Sequence, residues 1–148
     1  MNLIKSGKEY EFQLGSRERD LLQHVLSLYP CIPSGHQRLS KSYTPESNQQ
    51  LLEDALAETR AHNRKRLESF LKDGRNFKKG EQGWRLKLTP EDLEWLLQVL
   101  NDVRIGSWIR LGSPESPARG LKAESAPDFW AMEMAGAFQM AFLEVLDH

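Results

Sequence analysis

The sequence predicts a mainly α, α+β fold, with a four-helix core around an apolar C-terminal helix and a small three-stranded antiparallel sheet. Three observations support this fold class. Apolar residues recur with helical spacing in four segments, they alternate with polar residues in two short stretches, and the last helical segment is apolar on nearly every side. At 148 residues, the chain fits a single domain over 1–148 that can bury a core.

The first residues predict a β-hairpin, in which a turn at Ser6-Gly7 joins residues 3–5 to residues 8–14. A third strand is predicted at 84–88, where apolar and basic residues alternate. Pairing this strand with the hairpin brings opposite charges together across the strands, namely Glu9 and Glu11 with Arg85 and Lys87.

Two helices are predicted in the middle of the chain. The first follows Gly15, has Ser16 as its N-cap and ends before Pro30. The second runs from about 47 to 72, and Gly74 is a plausible stop. Its apolar side consists of Leu52, Leu56, Leu67 and Phe70.

The third helix has the clearest start signal in the sequence. Thr89 is suited to the N-cap, Pro90 to the first helical position, and the acidic residues that follow face the positive end of the helix. Gly112 is expected to close it. The predicted apolar stripe consists of Leu93, Leu97, Leu100, Trp108 and Leu111.

The fourth helix is predicted from about Ser125 almost to the end of the chain, with apolar residues around most of its circumference. Such a helix is buried on several sides, either by its own domain or by a partner. We expect it at the centre of the domain; the alternative leaves one face for a homodimer contact. Two long loops, at 30–45 and 112–127, are functional or simply mobile.

Composition narrows the range of functions. With one cysteine, the chain forms no intrachain disulfide, and without a long apolar run we expect no membrane span and a cytoplasmic protein. The histidine spacing predicts no metal site, no glycine-rich phosphate loop occurs, and no cofactor is predicted. Cys31 lacks the local features of a nucleophile and is expected to be a buried loop cysteine.

The strongest local charge lies between Arg60 and Lys87, where 10 Lys and Arg residues face 3 Asp and Glu residues although the whole chain carries a net charge of −1. Such a stretch could neutralise phosphates and bind nucleic acid. Such charge runs are more often a solvated helix face, here compensated by nearby acids, and we favour that interpretation. The candidate binding residues are Arg60, Arg64, Lys65, Arg66, Lys72, Arg75, Lys78 and Lys79.

Three polar residues fall on predicted apolar stripes or on the apolar fourth helix: Asn63, Arg104 and Glu133. A buried arginine must be paired and hydrogen-bonded. We therefore predict that Arg104 pairs with Glu133 and Asn63 in an internal network that fixes the helix register, a structural role more often than a catalytic one.

The third helix contains Leu100-Asn101-Asp102-Val103-Arg104 followed by Arg110-Leu111-Gly112. This segment, and the order of helices from about Gly15 onward, resemble an uncharacterised bacterial family known as domain of unknown function two-thousand-and-seventeen. The resemblance implies no catalytic residues. The family's genes often lie beside the adaptor of the Clp protease, which implies a role in regulation or protein turnover.

The favoured hypothesis is thus a non-enzymatic interaction or regulatory domain with a protein partner or self-association as a homodimer. The first alternative is a nucleic-acid-binding regulator that uses the basic stretch 60–87. The second is an enzyme with an unrecognised site, for which the residues to test are Asp102, Arg104, Arg110 and Glu133.

Overall fold

The computed structural model describes residues 1–33, 46–72, 74–119 and 121–146. For residues 46 and 47 it describes only the backbone. The elements in chain order are β1 (Asn2–Lys5), β2 (Tyr10–Leu14), α1 (Ser16–Ser27), α2 (Glu46–Lys72), β3 (Phe77–Gly80), β4 (Gly83–Leu88), α3 (Pro90–Arg110), a 3-10 turn (Ala123–Ser125) and α4 (Ala126–Leu146). The α+β class and the helices are therefore confirmed. The predicted loop at 30–45 lies mostly outside the described residues.

The described strands form one antiparallel sheet in the order β1-β2-β4-β3, with four strands where three were predicted. The missed strand is β3, which pairs with β4 through a tight connection between Gly80 and Gly83. Its sequence, Phe-Lys-Lys-Gly, contains a single apolar residue and so carries no alternating pattern. β3 forms because Phe77 is buried against the core beside Phe70, with ring centroids 5.3 Å apart.

The register between β2 and β4 is the predicted one in its main part. Glu11 lies opposite Lys87, and its carboxylate is 3.6 Å from the guanidinium of Arg85. Glu9 lies outside the strand, because β2 begins at Tyr10. The alternation buries one face of the sheet and leaves the other polar. The buried face consists of Phe12, Leu14, Leu86 and Leu88.

The start of α1 differs from the prediction. Gly15, and not Ser16, is the N-cap, with extended backbone angles (φ −71°, ψ 163°). The Gly15 N–H donates to the Glu18 carboxylate at 3.1 Å. The side chain of Glu18 thus provides a hydrogen-bond acceptor for a backbone N–H at the start of the helix. Ser16 consequently becomes the first helical residue.

Both ends of α3 confirm the prediction. The Thr89 hydroxyl accepts from the Asp92 N–H at 3.0 Å, and the Asp92 carboxylate accepts from the Thr89 N–H at 3.2 Å. These two bonds form a reciprocal capping box. At the other end, Gly112 has a φ of +90°, and its N–H donates to the Ile109 carbonyl at 2.9 Å.

The central helix of the fold is α3, which corrects the expectation that α4 would occupy the centre. Its buried residues cover more than one side of the helix and are Leu93, Trp95, Leu96, Val99, Leu100, Val103, Gly106 and Ser107. Trp95 contacts Phe70 of α2, with ring centroids 5.8 Å apart, while other residues face α1 and α4. Leu97, Trp108 and Leu111 of the predicted stripe are only half-buried.

α4 is buried along one side only, through Ala131, Ala135, Phe138 and Phe142. Phe142 meets Phe12 of the sheet edge-to-face, with ring centroids 5.3 Å apart. On the opposite side, Met140 is 65% exposed, and Leu143, on the flank of the helix, is 43% exposed. Although α4 is apolar, none of the described helices is both long enough and apolar enough to cross a bilayer.

α2 joins this core through its C-terminal half. Leu67 and Phe70 are buried, whereas Leu52 and Leu56 of the same predicted stripe are only half-buried. The guanidinium of Arg66 lies 4.3 Å from the centre of the Trp95 ring and pairs with Asp92 at 3.0 Å. Polar contacts as well as apolar ones therefore hold α2 to α3.

Candidate functional site

An open groove of about 510 Å³ runs along the exposed side of α4 next to α3. We call it the α3–α4 groove. Its lining is mostly apolar, with a small-residue floor and three polar side chains; the residues are Arg104, Met132, Glu133, Gly136, Ala137, Gln139, Met140 and Leu143. A concave apolar surface with a few placed polar groups is the usual composition of a binding site.

Arg104 is the cation of this groove, and α3 and α4 together hold it in place. Its Nε–H donates to Gln139 Oε1 at 3.0 Å, and an Nη2–H donates to Asn101 Oδ1 at 2.9 Å. Gln139 also donates to Asn101 at 3.4 Å, so the three side chains form a closed set of hydrogen bonds. A guanidinium has five N–H donors, and these two bonds use two of them.

Glu133 lies on the same groove but is exposed and, within the described part of the chain, forms no ion pair with Arg104. The predicted Arg104–Glu133–Asn63 network is therefore wrong. Asn63 lies elsewhere, where its amide donates to the Tyr29 hydroxyl at 3.1 Å and accepts from the Trp95 indole at 3.2 Å. Asn63 therefore links α2 to Tyr29 and to α3 instead of joining Arg104 and Glu133.

The structure divides the predicted basic site between several elements. The Arg60 guanidinium donates to the Ile32 carbonyl at 2.9 Å, and Arg66 is paired with Asp92, so both cations contribute to packing. Lys78 lies opposite Arg85, and Lys79 lies opposite Trp84, so the two lysines are on different faces of the sheet. The exposed members of the predicted set are Arg64, Lys65, Lys72, Arg75, Lys78 and Lys79.

The residues considered for an enzyme have structural contacts. Asp102 accepts from the backbone N–H groups of Cys31 and Ile32 at 2.6 and 3.4 Å, which ties the segment after α1 to α3. Arg110 lies 3.8 Å from Asp128. Among the described residues, no three His, Cys, Asp or Glu side chains are grouped so as to hold a metal ion.

Cys31 is buried, and its thiol donates to the Leu28 carbonyl at 3.1 Å. Burial raises the pKa of this thiol to about 11, and the carboxylates of Asp102 and Asp128 add to the rise against the opposing effects of Arg110 and Ser107. A thiol is a nucleophile only when ionised. The environment of Cys31 therefore suppresses its reactivity.

We expect native Cys31 to react with a disulfide reagent at pH 8 at least tenfold more slowly than the urea-unfolded chain, since roughly one thiol in a thousand is ionised at that pH. The folded pKa lies above the ordinary value of 9.0, so the contribution of this thiol to stability is constant well below pH 9 and is lost as the pH rises from 9 toward 11. Colorimetric thiol titration measures the rate, with Cys31→Ala as the blank. Equal rates in the native and unfolded chain would contradict the burial of this thiol.

The sequence pattern identified Arg104 and Glu133 but not Gln139 and Asn101, the hydrogen-bond partners of Arg104. The spacing along α3 could have identified Asn101. Asn101 precedes Arg104 by three residues on one helix face, a separation at which side chains meet. Gln139 gave no such signal, because its contact with α3 depends on how the two helices pack.

Comparison with protein-family models gives no match for this chain, and neither does comparison with curated proteins or with solved structures. The function is therefore inferred from the geometry of the chain itself.

Proposed function

We propose that this protein is a non-enzymatic interaction or regulatory domain that binds a helix of a protein partner in the α3–α4 groove. The observation that carries the proposal is the exposed apolar side of α4 in the groove, where Met140 is 65% exposed and Leu143 is 43% exposed. Contiguous apolar surface of this kind is typical of interaction sites, whereas single exposed apolar residues are common on any protein.

The composition of the groove suits a helical ligand. Its length follows α4 from Met132 to Leu143, so a partner helix lying alongside can bury side chains at successive turns. Methionine side chains are flexible and polarizable, and they adapt to the shape of an apolar partner. Gly136 and Ala137 in the floor leave room for the partner backbone to approach closely.

Polar groups at the edges of the groove would set the orientation of the partner. Arg104 is held by Asn101 and Gln139 through two of its five N–H donors, so a carboxylate of the partner would meet a preorganised cation. Glu133 provides a site for a partner cation on the same surface. A ligand helix with an apolar stripe flanked by both charges matches this arrangement.

The resemblance of residues 100–112 to the uncharacterised bacterial family adds a cellular context to the proposal. A domain that binds a helix of another protein is suited to regulating the turnover of that protein. We place the protein in this class on the neighbourhood of the family's genes, a weaker argument than the groove itself.

The nucleic-acid alternative has one favourable observation: Lys78 lies directly opposite Arg85 on the polar face of the sheet, with Lys87 on the same face. Cations on one face can follow a phosphate backbone. Against it, Arg85 is near Glu11, and Arg60 and Arg66 are occupied by contacts within the chain. We therefore rank this function second.

Photo-crosslinking tests the proposal. A benzophenone amino acid placed at position 140, within the groove, is expected to give a covalent adduct with a protein when native cells are irradiated. The matched control carries the same group at position 65, which is also exposed, lies on α2 and is outside the groove. Mass spectrometry identifies the adducts.

The two positions separate the alternatives. A protein adduct at 140 and none at 65 supports binding in the groove. Absence of any protein adduct at 140 refutes the proposed function. An adduct at position 65 that nuclease removes supports the nucleic-acid alternative instead.

A further inference from the structure

We propose that the polar face of the sheet is a second binding surface of this protein, and that it binds the phosphate backbone of single-stranded nucleic acid. The inference goes beyond the proposed function, because the sheet shares no residue with the α3–α4 groove. Only one of the cations on this face belongs to the basic set selected from the sequence. The cations are Lys5, Lys78, Arg85 and Lys87.

Strand pairing places these cations on the same face of the sheet. Lys78 on β3 lies directly opposite Arg85 on β4, and Lys87 follows Arg85 by two residues and so points the same way. On the other side of β2, Lys5 of β1 lies opposite Glu11. Three of the four cations are exposed, and Lys87 is half-buried. The positive charges therefore extend across the sheet from β1 to β3, a width of about 14 Å at the usual strand spacing.

One carboxylate lies among the four cations, so an excess of positive charge remains. Glu11 is 3.6 Å from Arg85 and lies opposite Lys87 in the β2–β4 register. Lys78 and Arg85 face each other across two strands, and like charges in that position destabilise a sheet. A polyanion that lies on this face would relieve the repulsion, because its charge is complementary to the excess.

Acidic residues border the cations at both ends of the strands. Glu81 lies in the turn between β3 and β4, beside a hollow of about 350 Å³. Glu9 and Asp92 line a hollow of about 450 Å³ at the other end, where Arg75 and Lys87 offset them. The excess of cations is thus confined to the middle of the face. We expect a chain of phosphates to cross the strands from β1 toward β3 instead of running along them.

The shape and the side chains of the face favour a single strand. The major groove of duplex DNA admits a helix or a two-stranded ribbon, whereas these cations are spread over a four-stranded sheet. Tyr10, Phe12 and Trp84 point to the opposite face, where they pair with leucines, so they cannot stack on bases here. Binding therefore depends on phosphates and is expected to be weak, salt-sensitive and tolerant of sequence.

Fluorescence anisotropy of a short labelled oligothymidylate, titrated with the full chain, tests the inference. Neutralising about three to four phosphates gives a slope of about −2 to −3 in log K against log salt, so affinity should fall roughly 15- to 60-fold between about 50 and 200 mM salt. Lys5→Gln and Lys78→Gln should each weaken binding several-fold and make the slope shallower by about 0.7. Lys65→Gln removes an exposed cation of α2 and is the matched control, which should bind like wild type.

Glu11→Gln gives the sharpest result, because it removes the carboxylate that competes with phosphate for the cations. We expect this variant to bind the oligothymidylate about fivefold more tightly. Cations with a purely structural role would give no gain. Glu58→Gln, which removes an exposed acid of α2, is the control and should leave the affinity unchanged. Circular dichroism confirms that each variant is folded, and the exposed Lys78 site carries the test if Glu11→Gln is not.

The outcomes are independent of the groove. If the oligothymidylate does not bind at about 50 mM salt with the chain at up to about 0.5 mM, the inference is overturned. Equal weakening by Lys65→Gln and Lys78→Gln overturns it as well, because the sheet then has no special part. Tighter binding of a duplex of the same length excludes the single strand, and binding of phosphatidylserine vesicles alone assigns the face to a membrane. Met140→Ala should bind the oligothymidylate like wild type, whatever the adduct at position 140 shows.

Discussion

Gly106→Ala is expected to destabilise the protein by about 3 kcal/mol or more, a large effect for the addition of one methyl group. A Cβ atom at position 106 would lie 2.2 Å from the carbonyl carbon of Cys31, 2.4 Å from its Cβ and 2.5 Å from its carbonyl oxygen. These are mainly backbone atoms, and the Asp102 carboxylate holds the Cys31 N–H at 2.6 Å. The segment after α1 therefore cannot move away without losing that hydrogen bond.

Gly136→Ala is the matched control, because it adds the same methyl group within a neighbouring helix. The nearest atom to that Cβ is Arg104 Cδ at 3.5 Å, an ordinary contact, and alanine favours helix over glycine by up to roughly 1 kcal/mol. Urea unfolding followed by circular dichroism measures both variants. If both variants have the same midpoint, the close approach of α3 to Cys31 is wrong.

The elements that the sequence predicted best are those whose signals are local. The start of α3 could be predicted because its signals are adjacent in the chain. Thr89 and Asp92 cap the backbone N–H groups of the first turn, and Pro90 suits the first helical position. The register of β2 against β4 also follows from local alternation, since one face must be apolar. β3 could not be predicted in this way, because one buried residue, Phe77, specifies no period.

The choice of the central helix depended on information that the sequence lacks. Periodicity shows which residues of a helix are apolar, but it does not show how much of that surface the rest of the chain covers. α4 is the more apolar helix, yet one of its sides is left open, whereas α3 is surrounded. The buried residues of α4 are Ala131, Ala135, Phe138 and Phe142, and the small size of the two alanines favours a close approach to α3, whereas Met140 and Leu143 remain exposed.

The sequence could identify residues of the candidate site, but it could not predict which of them form hydrogen bonds with one another. Arg104 and Glu133 could be singled out because charged residues are uncommon on apolar helix faces. Whether Arg104 meets Glu133 depends on the register between α3 and α4. That register places Gln139, and not Glu133, within hydrogen-bonding distance of Arg104. Likewise, Asn63 was identified as an internal polar residue, but its partners lie before α2 at Tyr29 and at the start of α3 at Trp95.

Phe142→Ala is expected to lower the free energy of unfolding by about 3–5 kcal/mol, because it removes a ring that is fully buried between α4 and the sheet. The loss includes the edge-to-face contact with Phe12 and leaves a cavity where the two layers meet. A domain of this size is stable by about 5–15 kcal/mol, so the variant should unfold at a much lower urea concentration.

Met140→Ala provides the comparison within the same helix, two residues away and on the opposite side. With Met140 65% exposed, its truncation should change the free energy of unfolding by less than about 0.5 kcal/mol. The contrast between the two variants tests whether α4 is anchored by one side only. If Phe142→Ala and Met140→Ala lost the same free energy of unfolding, the outer side of α4 would be covered by the chain itself. The α3–α4 groove would then have no room for a partner. If Phe142→Ala is much less stable than Met140→Ala, the apolar side of α4 that carries Met140 is free to bind a partner.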